Sequence, residues 1–325
     1  MKVLYVIQKH LVVSILVGMV IGFLIGAYAD TSSLRIAVMP LSFFMVYPMM
    51  VTLNYKSLVE RGSVKLQVVT QLINFIYLPL MAVGFGLVFF ADNAAFRLGI
   101  LLIALLPTSG MTVSWTVMAK GNVKEAIRMI VIGLILGGLL TPLYIGFFMG
   151  ETTNIPFRSI FSQILVIVFI PMALGFLTQT LIKRKTGEVV FKTKVKPIFP
   201  AFSTLAVVIL ITLVMSLRAD MLIANPRVLL EIMVPIVLGY MVMIVSIHYL
   251  GTLLFNREDR IALINGTMIR SLSLALAIAL TVFESGGPEI ALVIAVAYIV
   301  QVQLAAWYVK ASIKQLVVAE KEALE

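Results

Sequence analysis

Long apolar runs alternate with short polar breaks along the whole chain, falling near residues 11–28, 36–53, 66–90, 96–118, 126–149, 159–181, 198–217, 229–255, 261–283 and 289–309. Each is long enough to cross ~30 Å of hydrocarbon as a helix rising ~1.5 Å per residue. The pattern therefore predicts an all-α polytopic membrane protein with ten transmembrane helices. The breaks at 91–95 and 284–288 suit tight hairpins. The first run places Gly18, Gly22 and Gly26 four residues apart, which reads as a packing face and not as a cleavable signal peptide.

Ten spans divide five and five around the polar segment from Glu151 to Arg158. With an odd number per half, the second half must be inverted relative to the first, the plan of many secondary transporters. Residues 1–150 are then the first five-helix repeat, 151–309 the second, and 310–325 a cytoplasmic tail. Two corresponding spans carry helix breakers at their centres: Pro107 and Gly110 in the fourth, Gly266 in the ninth. Proline lacks the N–H and clashes with the preceding turn, and glycine costs ~1 kcal/mol in a helix relative to alanine. Non-helical backbone at bilayer depth persists only where protein or a watery cavity covers it. The paired breaks predict two broken, crossing helices around a midplane site.

Composition narrows the class of function. Of 325 residues 61% are hydrophobic and 12% charged, with mean hydropathy +1.10, so the spans leave no room for a soluble catalytic domain. The net charge of +10 points to loop asymmetry and not to nucleic acid. Nineteen Lys and Arg residues fall on one side and five on the other, which predicts a multi-pass plasma-membrane protein with both termini cytoplasmic. Absence of cysteine removes thiolate chemistry, and two histidines make a metal centre a poor reading; no cofactor is expected.

The twenty-fifth basic residue is Arg270, inside the ninth span with no buried carboxylate to offset it. A guanidinium at the bilayer centre costs at least ~2.5–3.5 kcal/mol unless it finds a polar cavity or a partner. Three roles fit: a structural one, tying down carbonyls freed by the break, and two functional ones, holding an anionic solute group or standing permanently where another carrier would bind a cation. Thr108, Ser109, Ser271 and Ser273 are the hydroxyls placed to form a substrate site with it, and Ser114 lies one turn on. Gln67, Gln71 and Asn74 share one face of the third span, as pathway lining or as bonds between helices. His248, in the eighth span, is either a proton carrier or a core histidine. Gly133, Gly137, Gly138 and Pro142 read as close helix packing. Together these residues predict a secondary active transporter moving a small anionic or oxyanion-type solute by alternating access, embedded in membrane lipid, with H⁺ coupling or exchange in place of a Na⁺ requirement. A channel would show charged rings or a repeated pore segment, and an intramembrane enzyme a carboxylate pair or a Ser–His arrangement; the chain has neither. Oligomeric state is left open.

Three stretches carry a resemblance. MVYPMMVTLNYKSL at 45–58, PTSGMTVSWTVMAKGN at 107–122 and RSLSLALAIAL at 270–280 resemble segments of the arsenical-resistance-3 arsenite efflux family, a branch of the bile acid:sodium symporter superfamily. The resemblance implies the ten-helix inverted-repeat fold, and either arsenite or antimonite efflux or sodium-coupled transport of organic anions. It also exposes departures. Thr108 stands where the arsenite branch has a functional Cys, and Ser273 where it has a Glu. Gly266 and Arg270 stand where the sodium-coupled branch has an acid and a glutamine as ligands. A hydroxyl does not replace a thiolate for a soft metalloid, and a fixed cation repels Na⁺.

Overall fold

The computed structural model describes residue 7 and residues 10–58, 62–149, 157–283 and 286–322. The boundary between the two expected repeats, at 150 and 151, lies outside the described residues, as do Lys2, Lys9 and Arg61 of the charge count. Regular structure among the described residues is helical throughout. In chain order the membrane helices are α1 (Leu11–Tyr28), α2 (Val38–Val51), α3 (Val64–Leu72), α4 (Leu78–Phe89), α5 (Ala94–Leu105), α6 (Met111–Met118), α7 (Val123–Met149), α8 (Phe157–Thr186), α9 (Phe199–Leu217), α10 (Val228–Leu254), α11 (Arg257–Met268), α12 (Leu272–Val282) and α13 (Gly287–Glu322).

These helices reproduce the ten expected spans. Among the described residues nine helical stretches are long and apolar enough to cross a membrane, and the fourth span misses that length because its break divides it into α5 and α6. The third span is α3 and α4 joined through a π-helical turn at Ile73–Tyr77. The tail expected from Lys310 is helical as far as Glu322, continuous with the tenth span in α13, because the chain there meets no proline or glycine that would stop the helix.

The helices pack in two groups. α1, α2, α8 and α9 form a layer, with α9 against α1 and α2, and α2 against α8. Glycine sets the spacing: a Cβ on Gly22 or Gly26 would sit 2.1 Å from the backbone oxygen of Thr212 or Ser216 on α9. On α8, Gly175 meets the backbone of Met50 in the same way, at 2.7 Å. The other five spans gather around the ninth, whose most apolar stretch is 94% buried against 22% for α1. Gly133 and Gly137 of α7 lie against the Pro107 ring and so make room for the broken fourth span, while Gly138 packs against Val168 and Phe169 of α8.

Candidate functional site

Where α5 ends and α6 begins, the chain meets the gap between α11 and α12. The two segments pair through their backbones: Ser109 N–H donates to Ile269 O at 2.8 Å, and Ser271 N–H to Leu106 O at 3.0 Å. Thr108 takes a left-handed φ of 36°, a strained conformation for a β-branched residue. Its hydroxyl donates to Gly266 O at 2.7 Å, which offsets the strain. Thr112 reaches Asn265 O at 3.4 Å, and Asn265 Nδ2 reaches Thr116 Oγ1 at 3.3 Å.

A helix that stops at mid-membrane leaves its last carbonyls without partners. Arg270 is only 2% exposed, and its guanidinium supplies those partners. Nε donates to Ile103 O at 3.1 Å, one terminal nitrogen to Ala104 O, and the other to Thr267 O at 3.2 Å and to Asn74 Oδ1. The ends of both α5 and α11 are thereby satisfied by one planar fork. The backbone of Arg270 is held as well: its N–H donates to Gln301 Oε1 at 2.8 Å, Gln301 Nε2 donates back to Arg270 O at 3.3 Å, and Tyr240 donates to the same Oε1 at 2.9 Å.

On another side of the crossing lies a cavity of about 200 Å³. It runs from the crossing to the starts of α1 and α9, and Ser109, Ser114, Ser273, Thr52 and Tyr298 line it with hydroxyls. Met49 and Met111 add thioethers, and Ser203 and Thr204 of α9 close the wall opposite. No Lys, Arg, Asp or Glu is among the lining residues. Gly110 and Met111 at the start of α6 and Ser273 in the first turn of α12 bring two helix N-termini to this space, and with them the positive ends of two helix dipoles. Arg270 faces a different, apolar space of about 60 Å³ between α4, α5 and α10.

Residues 39–225, more than half of the chain, match the Sodium Bile acid symporter family. The chain belongs to that family. Its members are membrane transporters. Among relatives, the Arsenical-resistance protein Acr3 of Alkaliphilus metalliredigens is 25% identical, the match covering 68% of this chain and 67% of that one. The Sodium/bile acid cotransporter 7 of Danio rerio is 28% identical over 55% of this chain and 53% of its own. The Acr3 protein of Corynebacterium glutamicum is 21% identical over 60% and 56%. The chain thus spans about half the length of several curated relatives it matches.

Within this symporter-family fold, the residues singled out from sequence are only partly brought together. Ser109, Gly110, Ser114 and Ser273 share the cavity. Thr108 is spent on Gly266 O, and Arg270 on the carbonyls, so neither lines it. Ser271 is 3% exposed, with its hydroxyl unpartnered among the described residues. The third-span face is divided. Gln67 donates to Glu125 at 2.6 Å, Asn74 accepts from Arg270, and the amide of Gln71, between them, has no partner among the described residues. His248 is half-buried and edge-on to Tyr308 at 6.5 Å, and lines neither space. The expectation of no buried carboxylate is corrected: Glu125 is 3% exposed, held by Gln67, by Ser63 N–H at 2.9 Å and by Arg128 at 3.4 Å. It sits in the first turn of α7, so it does not neutralise Arg270. Gln301 was missed, although an amide inside an apolar run signals a buried partner.

Proposed function

We propose that the chain is a secondary active transporter that moves a small, oxygen-rich anion by alternating access, binding it in the hydroxyl-lined cavity beside the crossing. The observation that carries this reading is the division of charge at the crossing. Two helix C-termini, each equivalent to about −0.5 elementary charge, are offset by the single positive charge of Arg270. The two helix N-termini are left facing the cavity, where hydroxyls add donors. An anion is favoured there, and the free cation that would otherwise neutralise the carbonyl cluster is replaced by one built into the chain. Transport therefore has no strict Na⁺ requirement, and coupling is by H⁺ or by exchange. The two helix groups supply the moving parts, since the cavity lies between α1, α2 and α9 on one side and the crossing on the other.

The test is uptake into proteoliposomes of small oxyanions, with Na⁺ and pH varied separately. Saturable uptake that persists when K⁺ replaces Na⁺ is expected; uptake that disappears without Na⁺ would overturn the coupling assignment. Arsenite belongs in the same panel as a second reading, favoured by the similarity to proteins named for arsenical resistance. It would have to bind through hydroxyls and thioethers, since the chain has no cysteine.

Both termini, and the segment joining α8 to α9, are placed on the cytoplasmic side by the basic-residue asymmetry. A Thr186→Cys variant of this cysteine-free chain should resist impermeant maleimide added outside intact cells and react in everted vesicles; the reverse pattern would invert the topology.

A further inference from the structure

A second cavity, of about 390 Å³, opens where α2 and α8 end. Its lining includes Lys56, Lys183 and Arg184, with Glu188 as its one carboxylate. That carboxylate is already paired with Lys192 at 2.9 Å, so it does not cancel the cations. Lys56 and Arg184 make no hydrogen bond or ion pair among the described residues.

The floor of this cavity is built and satisfied. Gln179 Nε2 donates to Val51 O at 2.7 Å and Leu53 O at 2.8 Å, capping the end of α2, while its Oε1 accepts from Lys183 at 2.9 Å. Tyr55 donates to Met50 O and Met172 O, each at 3.0 Å, and stacks edge-on against Phe176. Lys183 is also held over the Phe191 ring, 5.1 Å from its centre. Lys183 is thereby fixed over a built hollow, and Lys56 and Arg184 line the same hollow with their charges unpaired among the described residues. Directly below the basic rim, α8 presents Phe176, Leu177 and Leu181, about half exposed.

We propose that this cavity binds the headgroup of an anionic phospholipid, with the acyl chains along the exposed apolar face of α8. A phosphate in the hollow would meet three cations contributed by two segments, the residues after α2 and the end of α8, and so would clamp these elements of the α1–α2–α8–α9 layer together. A freely soluble anion has no use for the apolar strip beneath; a lipid uses both. This site is separate from the solute cavity, so the proposal stands whether or not the transport reading does.

The experiment compares the melting temperature of the purified protein in detergent micelles doped with phosphatidylglycerol, with phosphatidylcholine, or supplemented with inorganic phosphate. Phosphatidylglycerol is expected to raise it saturably, and the other two are not. Each cation near a membrane surface contributes roughly fivefold in affinity, so a Lys56→Gln/Lys183→Gln/Arg184→Gln variant should need on the order of a hundredfold more phosphatidylglycerol for half the effect. A Lys310→Gln/Lys314→Gln variant, altered on α13, should respond as the parent does. If the triple variant does not fold, Lys56→Gln alone removes an exposed, unbonded ammonium and should raise the requirement several-fold. The proposal is overturned if the parent shows no shift, if phosphate alone reproduces it, if the variants at the cavity respond like the parent, or if the α13 variant loses the shift equally.

Discussion

Replacing Arg270 with alanine is expected to leave little or no folded protein. The substitution removes four guanidinium bonds and leaves Ile103 O, Ala104 O and Asn74 Oδ1 buried without their donor. Unsatisfied buried acceptors cost ~1–3 kcal/mol each, and breaking one partner out of a buried charged network costs on the order of 3–5 kcal/mol. That is a large share of the ~5–15 kcal/mol by which proteins are typically stable. Arg270→Lys keeps the charge but has no planar fork to span the ends of α5 and α11 at once, so it should fold with a clearly lower melting temperature. The Arg270→Lys protein should bind its solute with near-parental affinity, because the charge is kept and the guanidinium it replaces faces away from the hydroxyl cavity. Monodisperse yield and melting temperature in detergent, with solute affinity measured on the same samples, check this. If both variants melt like the parent and lose affinity ten- to a hundredfold, Arg270 grips the solute and the tether account is wrong. A further outcome separates a fixed cation from an ordinary tether: in Arg270→Gln the vacated oxygens are free to hold an ion, so Na⁺ should raise the melting temperature of that variant and leave the parent unchanged.

Much of this was legible in the sequence, and the limits have physical causes. The ten spans were legible because hydrocarbon demands ~20 apolar residues per crossing. The breaks were legible because proline and glycine disfavour helix wherever they occur, and because their positions in the fourth and ninth spans match. The anomalous charge of Arg270 was visible, but its partners were not. Three of the four are backbone carbonyls, which every residue possesses, and the fourth, Asn74, is aimed from a π-helical turn at Ile73–Tyr77 that the apolar pattern does not mark. That is why the hydroxyls near Arg270 in sequence were expected to share a site with it, while the fold sends the guanidinium toward α5 and leaves Ser109 and Ser273 on another side. The opposite wall was hidden for a related reason. Met49, Thr52, Ser203 and Thr204 are unremarkable residues in apolar runs, and only the packing of α9 against α1 and α2 brings them together opposite the crossing. Glu125 looked like a loop carboxylate because it sits at a span end, yet Gln67 and Ser63 fold over it.

Filling the hydroxyl cavity from Ser114 should abolish transport without disturbing the fold. Ser114 lines the cavity from α6, is exposed to it, and makes no hydrogen bond among the described residues, so replacing it removes no bond that holds the crossing together. In Ser114→Phe an aromatic ring would enter a space of about 200 Å³, the space in which a small oxyanion would bind. The expected result is an unchanged melting temperature with uptake reduced to background. Ser114→Ala keeps the space and deletes one donor; a neutral hydrogen bond is worth ~0.5–1.5 kcal/mol, so the apparent affinity should weaken about two- to tenfold at an unchanged maximal rate. The two variants together distinguish blocking from loss of a contact. The mechanism also sets a direction for trapping: a filled cavity should hold α1, α2 and α9 away from the crossing, so Ser114→Phe should remain reactive to an impermeant thiol reagent at a Thr204→Cys position under conditions in which solute protects the parent carrying that cysteine alone. A Ser114→Phe protein that transports at the parental rate would place the solute pathway outside this cavity and remove the division of charge at the crossing as its cause.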